Sequence, residues 1–179
     1  MLNRHLWAVI LRYGLLAAIG SVTISAMPYA LGNSEWFTAS TVNLTLTLTK
    51  LGWTIVCAVL ATRRIALINE GTVPFHHALG IAWFILMLMG TADILHYYVR
   101  MNYWHPEQFE WVRDLQLQAM EKKWMSEGLS EPELTQHRLE FLSQFKRPTF
   151  GIAVYQWALW LIISFGVALV VGAFTKKQR

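Results

Sequence analysis

Residues 150–174 form a long run of the chain that contains no charged side chain. About 20 apolar residues in a helix span the hydrocarbon core of a bilayer, so a run of this length fits a membrane span. Only 15% of the whole chain is charged, against about 25% in soluble proteins, and 55% is hydrophobic. The sequence therefore predicts a membrane protein rather than a soluble domain.

Three further segments are long and apolar enough to cross a membrane. We predict spans at residues 6–31, 41–61 and 77–98, in addition to the one at 150–174. A second span restricted to its unambiguous apolar part, residues 51–61, would be too short. The preceding stretch TVNLTLTLTK therefore belongs to the same helix, although its alternation also fits a strand followed by a re-entrant turn. A lone strand in lipid would leave its backbone groups unpaired, which disfavours that alternative.

Basic residues near the span ends predict the orientation of the chain. Arg63 and Arg64 follow span two, and Lys176 and Lys177 follow span four, so the positive-inside rule places these ends in the cytoplasm. Arg12 interrupts the first apolar run, which favours an uncleaved helix over a signal peptide, and its side chain can extend to the same headgroup layer. We predict that all five residues contact lipid headgroups, that both termini are cytoplasmic, and that the membrane is a bacterial inner membrane.

The segment between spans three and four, residues 106–147, has the pattern of a helical hairpin. Pro106 fits the first turn of one helix and Gly128 fits its end. Ser130, with Glu133 three residues later, forms the capping-box pattern that begins a second helix. We predict this hairpin on the periplasmic side. Its apolar stripes either pack on each other or on the bilayer surface, or they dock a partner protein.

The C-terminal half of the chain resembles a known family. The pattern EKKWMSEGLSEPELTQHRLEFLSQFKRPTFG, followed by a last span and the basic tail TKKQR, is similar to small four-span inner-membrane proteins of a domain-of-unknown-function family common in Bacteroidota. The resemblance covers most of the chain in layout and is sharpest from residue 106 to residue 179. It implies an all-α fold with four transmembrane helices and a periplasmic hairpin before the last, and it implies no activity.

Lys50 is the most informative residue within a predicted span. A lysine near the bilayer centre costs about 2.5–3.5 kcal/mol on insertion scales, so such residues face the bundle interior and are paired. Counting helical rise along oppositely directed spans places Lys50 and Asp93 at depths about 6 Å apart, within reach of a lysine stem. We predict a Lys50–Asp93 pair, with His96 on the same face as Asp93. The pair either offsets burial and fixes the helix register or belongs to a proton or ion pathway.

Motifs for catalysis and for cofactor binding are missing from the sequence. It has no phosphate loop, zinc-protease motif or serine-hydrolase elbow, and its single cysteine, Cys57, excludes an internal disulfide. The basic residues do not form the stripe typical of nucleic-acid binding. His76 and His77 lie at one membrane surface and could ligate a haem iron, but nothing else in the sequence supports this. We predict no catalytic residue, no metal, no cofactor and no nucleic-acid partner.

These observations predict a non-enzymatic accessory or scaffold subunit of a larger membrane complex, in contact with lipids and with other membrane subunits. The expected docking residues are aromatic side chains of the hairpin and the last span: Phe109, Trp124, Phe141, Tyr155, Trp157 and Trp160. The alternative is a small homo-oligomeric transporter or proton-linked channel that uses Lys50, Asp93 and His96. A lipid-modifying enzyme is a third hypothesis, for which no nucleophile and base are visible.

Overall fold

The structure is a computed structural model that describes residues 4–31, 40–69, 71 and 73–175. Within this part, the chain forms six α-helices and one short π-helical turn that continues the third helix. The elements in chain order are α1 (Arg4–Leu31), α2 (Ser40–Ile68), α3 (Phe75–Val99), the π-helical turn (Arg100–Trp104), α4 (Pro106–Ser126), α5 (Glu131–Gln144) and α6 (Phe150–Thr175).

Four of these helices, α1, α2, α3 and α6, are long and apolar enough to cross a membrane. The prediction of an all-helical, multi-pass membrane protein is therefore confirmed at this level. The second span is longer than predicted, because α2 continues from residue 61 to Ile68 and carries Arg63 and Arg64 within the helix. The third span is also longer, because the π-helical turn extends it to Trp104.

The threonine-rich stretch is helical, as predicted, and its hydroxyl groups explain how it lies in a span. The Thr47 hydroxyl donates to the Asn43 carbonyl at 2.9 Å, and the Thr49 hydroxyl donates to the Thr45 carbonyl at 2.8 Å. A hydroxyl bonded one turn back on its own helix exposes no unpaired donor to lipid. The alternating pattern of this stretch therefore reflects a helix with internally satisfied threonines, and the strand alternative is wrong.

The third span is the centre of the arrangement. α3 packs against α1, α2 and α6, while α1 also packs against α2, and α6 has little contact outside α3. The spans alternate in direction: Trp7 and Ile65 meet near His77 at one end, and Tyr29 and Tyr97 meet at the other. We call the latter the hairpin end, because α4 and α5 lie beside it. Small residues line the seams, and Ala17 of α1 and Ala168 of α6 are fully buried.

A tryptophan holds α6 against α3 through a hydrogen bond to the backbone. The Trp160 indole lies over Gly90 and donates its N–H to the Leu86 carbonyl at 2.9 Å. That carbonyl also belongs to the α3 helix ladder, so the indole uses its second lone pair. A Cβ on residue 90 would overlap the indole ring, which makes glycine a requirement of this contact.

The same arrangement holds α2 against α1. The Trp53 indole lies over Gly20 and donates its N–H to the Leu16 carbonyl at 3.1 Å. Again the accepting carbonyl lies one helical turn before the glycine, and a Cβ on the glycine would overlap the ring. Lipid tails are as apolar as the helix surfaces, so apolar burial alone does not drive membrane helices together. Close packing combined with a hydrogen bond therefore stabilises the contact between α1 and α2.

The hairpin follows the sequence pattern closely. Gly128 ends the turn after α4 with φ +79°, a left-handed conformation that glycine adopts without strain. The predicted capping box begins α5: the backbone N–H and the hydroxyl of Ser130 donate to the Glu133 carboxylate at 2.8 and 2.6 Å. These bonds favour the ionised form and lower the pKa of the Glu133 carboxyl.

Side-chain bonds fasten the hairpin to the ends of the spans. Asn102 in the π-helical turn donates to the Pro148 carbonyl at 2.9 Å, just before α6 begins. Arg147 pairs with Glu110 at 2.9 Å, which joins the segment after α5 to the start of α4. Since the two helices alone bury little, these bonds set the position of the hairpin against the spans.

Substituting Gly90 by alanine tests the contact between Trp160 and α3. Gly90→Ala should destabilise the protein by about 1–3 kcal/mol, because the new methyl group displaces the indole and breaks its hydrogen bond to the Leu86 carbonyl. The matched control is Gly80→Ala in the same helix, where a Cβ meets no atom within 4 Å. Thermal unfolding in detergent should show a lower Tm for the first variant and no loss for the second. Equal Tm values would contradict this account.

Candidate functional site

Three polar side chains meet between α1, α2 and α3, and we call Ser25, Lys50 and Asp93 the Lys50 cluster. Lys50 Nζ donates to Asp93 Oδ2 at 2.7 Å and to Ser25 Oγ at 3.1 Å. Ser25 Oγ donates to Asp93 Oδ1 at 2.5 Å. The Lys50 and Asp93 side chains are 19% and 25% exposed. Both carboxylate oxygens are thus satisfied, and the ammonium has two oxygen partners.

The interior of the bundle is closed beside the Lys50 cluster. On α2, Thr54 is fully buried and its hydroxyl donates to the Lys50 carbonyl at 2.8 Å. Further toward the end of the spans opposite the hairpin, Cys57 is 2% exposed, and Ile85 and Leu86 on α3 are fully buried. These side chains separate the Lys50 cluster from the end of the spans opposite the hairpin.

A cleft of about 250 Å³, which we call the polar cleft, leads from the hairpin end to the Lys50 cluster. Its lining residues are Ser25, Pro28, Tyr29, Asn43, Leu46, Thr47, Lys50, Asp93, His96, Tyr97 and Arg100. Tyr29, Asn43 and Tyr97 also line a second cavity of about 250 Å³, whose far wall is formed by hairpin residues such as Phe109 and Phe145. The polar cleft therefore opens beneath the hairpin.

Arg100 brings a second cation to this cleft. It is the first residue of the π-helical turn, and its guanidinium carbon lies 3.8 Å from the centre of the Tyr29 ring. Its Nε donates to Gln108 Oε1 of α4 at 2.8 Å. Among the described residues, no carboxylate pairs with Arg100. Its guanidinium instead contacts the Tyr29 ring and the Gln108 amide oxygen. A π-helical turn commonly occurs at functional sites, where it redirects side chains.

The structure places the predicted histidines as follows. His96 lines the polar cleft with Asp93, but the two side chains are not hydrogen-bonded, and the His96 ring instead lies edge-on to Trp104 at 6.4 Å. His76 and His77 have ring centres 4.3 Å apart and line an apolar cavity of about 330 Å³ at the opposite end of the spans. Within the described part of the chain, no three histidine, cysteine or carboxylate side chains are grouped as metal ligands.

The expected docking residues of the hairpin mostly contact other side chains of the hairpin. Phe109 is only 6% exposed and packs against Phe145 at 5.3 Å, and Trp124 is 9% exposed and stacks on His137 at 5.4 Å. Phe141 is half-buried and stacks on the same Phe145 ring at 5.3 Å. These aromatic side chains hold the two helices of the hairpin together, so Phe109 and Trp124 expose little surface outside it, and their docking role stays a prediction.

The three docking residues predicted on α6 also differ in whether they contact the rest of the chain. Trp157 donates its indole N–H to the Thr91 hydroxyl at 3.0 Å, and Trp160 is bonded to the Leu86 carbonyl, so both serve contacts with α3. Tyr155 is 64% exposed. Of the three residues proposed for docking on this span, Tyr155 alone presents most of its side chain.

The residues predicted to contact lipid headgroups are only partly described. Arg12, Arg63 and Arg64 are exposed, which is compatible with headgroup contact. Lys176 and Lys177 lie outside the described residues. Headgroup contact by all five stays a prediction.

Sequence reasoning missed two residues of the site. The sequence does not link Ser25 to Lys50, because a serine among small residues in an apolar helix normally indicates close packing. Arg100 lies at the end of a span, where basic residues are common, so its position alone does not mark it as part of a site. A signal was present, since Asp93, His96 and Arg100 are spaced i, i+3 and i+7 and so share one helical face that a span would not expose to lipid.

The chain belongs to the DUF4199 family of proteins of unknown function, whose family model matches residues 12–177. The matched region includes the whole Lys50 cluster, the polar cleft and the hairpin. No curated protein and no solved structure matches the chain.

A double-mutant cycle tests whether Lys50 and Asp93 stabilise the fold as a pair. Lys50→Met and Asp93→Asn should each lower the Tm in detergent, because each leaves one half-buried group without its partner. The double variant should lose less than the sum of the two, with a coupling energy of about 0.5–3 kcal/mol. Arg63→Met, which removes an exposed cation from the same helix, is the control and should change the Tm little. A raised Tm for Lys50→Met with an unchanged Tm for Asp93→Asn would show that the pair does not stabilise the protein.

Proposed function

We propose that this DUF4199 protein is a non-enzymatic accessory subunit of a larger membrane complex, and that α5 of the hairpin presents the docking surface. The observation that carries the proposal is that α5 contains no buried residue, although it is held in a defined position. Its outward face carries Leu139 and Leu142, which are 64% and 38% exposed. These two leucines replace the buried aromatic residues as the expected docking contacts.

Several contacts support a fixed rather than a loosely attached α5. A helix of 14 residues is marginal in water by itself. Here Arg138 Nε pairs with Glu121 of α4 at 2.7 Å, and His137 stacks on Trp124. The capping box at Ser130 adds a defined start. The inner face of α5 thus attaches the helix to the hairpin, while Leu139 leaves most of its side chain uncovered and available to another protein.

The same proposal includes an orientation. Arg12, Arg63 and Arg64 lie toward the end opposite the hairpin, and the positive-inside rule supports a cytoplasmic location for that end. The hairpin, whose charges are of both signs, would then face the periplasm of a bacterial inner membrane. A docking partner would present an apolar patch on the periplasmic side, next to its own membrane spans.

The polar cleft favours a second candidate, a homo-oligomeric transporter or proton-linked channel that uses Lys50, Asp93 and His96. Such a protein needs a cavity that touches Lys50, and the polar cleft reaches Lys50 from the hairpin end. The buried side chains beside the Lys50 cluster count against a pathway through one chain, because Ile85 and Leu86 are fully buried. Transport would therefore require a second copy to complete the path.

Affinity purification from the native membrane in mild detergent tests the leading proposal. Wild-type protein should retain a foreign membrane subunit in fixed stoichiometry, and Leu139→Gln/Leu142→Gln should release it, because the substitution removes the apolar contact. The matched control, Leu139→Met/Leu142→Met, keeps the surface apolar and should retain the subunit. Mass spectrometry and size measurement give the composition of each complex.

Two outcomes would contradict the accessory role. Retention of the subunit by the glutamine variant would exclude docking through α5. A purified complex that contains only copies of this chain would favour the transporter, and ion flux in vesicles with Lys50→Met as the comparison would then be the next measurement.

A further inference from the structure

We propose that the polar cleft binds the anionic headgroup of a membrane amphiphile, with Arg100 and Lys50 as the cationic contacts. Both side chains line the cleft, and they come from different elements, α2 and the π-helical turn that follows α3. This site is independent of the docking surface on α5 and would be present whether or not the chain joins a larger complex.

The charges that line the cleft favour an anion. α1 contributes only neutral groups, and α2 contributes the Lys50 ammonium with neutral polar side chains. α3 contributes the Asp93 carboxylate, His96 and Tyr97, and the π-helical turn contributes the Arg100 guanidinium. Among the described lining residues, two cations, Lys50 and Arg100, face the single carboxylate of Asp93. Because Asp93 already neutralises Lys50 at 2.7 Å, the excess positive charge belongs to Arg100.

The Arg100 guanidinium retains donors for a ligand. Its Nε is bonded to Gln108, and its planar face lies on the Tyr29 ring, which fixes its orientation. No hydrogen bond from its two terminal nitrogens occurs within the described residues. A guanidinium held in this way matches the two oxygens of a carboxylate or a phosphate, and charge-assisted bonds of this type are among the strongest in proteins.

The surroundings of the cleft favour an amphiphile over a free anion. Its volume of about 250 Å³ suits a headgroup rather than a whole lipid, and Pro28 and Leu46 give it apolar walls. An apolar groove of about 280 Å³ adjoins it, with Trp160 among its lining residues, and shares Lys50 and Asp93 with it. The headgroup of one molecule therefore fits the polar cleft, and its acyl chain fits the adjoining apolar groove.

The closed interior gives the bound headgroup a definite depth. The buried side chains beside Thr54 stop a ligand at the Lys50 cluster, and the hairpin lies over the open end of the cleft. An amphiphile would reach this position from the leaflet at the hairpin end. The arrangement fits a site that retains one molecule, since the described interior offers no exit toward the other leaflet.

The experiment uses the full-length chain in neutral detergent micelles with dioleoylphosphatidylglycerol as the anionic probe. Thermal unfolding should show a saturable rise in Tm with this lipid and none with dioleoylphosphatidylcholine. Native mass spectrometry should show one retained phosphatidylglycerol molecule per chain. Arg100→Gln should weaken binding by about tenfold or more, because it removes a charge-assisted contact. Arg63→Gln at the opposite end of the spans is the matched control and should bind like wild type.

A second variant keeps the test valid if Arg100→Gln fails to fold. Asn43 is exposed and lines the cleft, so Asn43→Asp adds a negative charge there without removing a buried contact, and it should also weaken binding. Equal Tm shifts in wild type, Arg100→Gln and Asn43→Asp would overturn the proposal, as would the absence of any shift in wild type. Equal binding of free glycerol phosphate would show a site for soluble anions and would overturn the amphiphile assignment.

Discussion

An ammonium group inside a membrane span must be neutralised, and much of this structure follows from where Lys50 finds its partners. Asp93 on α3 supplies the charge and Ser25 on α1 supplies a further oxygen, so one side chain of α2 bonds to both neighbouring spans. Any shift of these helices along their axes would separate the three groups. Since an unpaired charge in lipid is costly, the Lys50 cluster selects a single register for α1, α2 and α3.

The indole contacts act on the same helices in a different way. Trp53 bonds α2 to α1, and Trp160 bonds α6 to α3. Each indole donates to the backbone carbonyl that lies one helical turn before a glycine. Backbone carbonyls recur every residue along a helix, so the bond alone does not define a register. The glycine does, because the indole fits only where a Cβ is missing. The Lys50 cluster and the two indole contacts therefore specify complementary interfaces, and α6 depends on Trp160 more than on any ionic contact.

The sequence allowed the spans to be predicted because membrane helices are defined by length, polarity and the need to pair backbone groups. The same physical reasoning placed Lys50 and Asp93 at matching depths, and in the structure they lie 2.7 Å apart. The spacing of Arg100 from Asp93 and His96 places it on their helical face, but the π-helical turn that directs its side chain into the cleft has no clear sequence signature. Sequence reasoning also assigned Phe109 and Trp124 to a partner, since burial within a small hairpin and burial at an interface require the same apolar pattern.

The arrangement of polar groups is strongly one-sided, and this limits the functions that the fold can support. The polar cleft, the Arg100 guanidinium and the hairpin all lie at one end of the spans, whereas the interior beyond Thr54 is packed with buried side chains. A carrier needs access to its site from both sides, so one chain of this shape cannot complete a transport cycle unless its packed half opens. A site that is filled from one leaflet and a surface that is presented on the same side require no such opening. Arg100 donates to Gln108 of α4 at 2.8 Å, so a direct hydrogen bond joins the polar cleft to the hairpin.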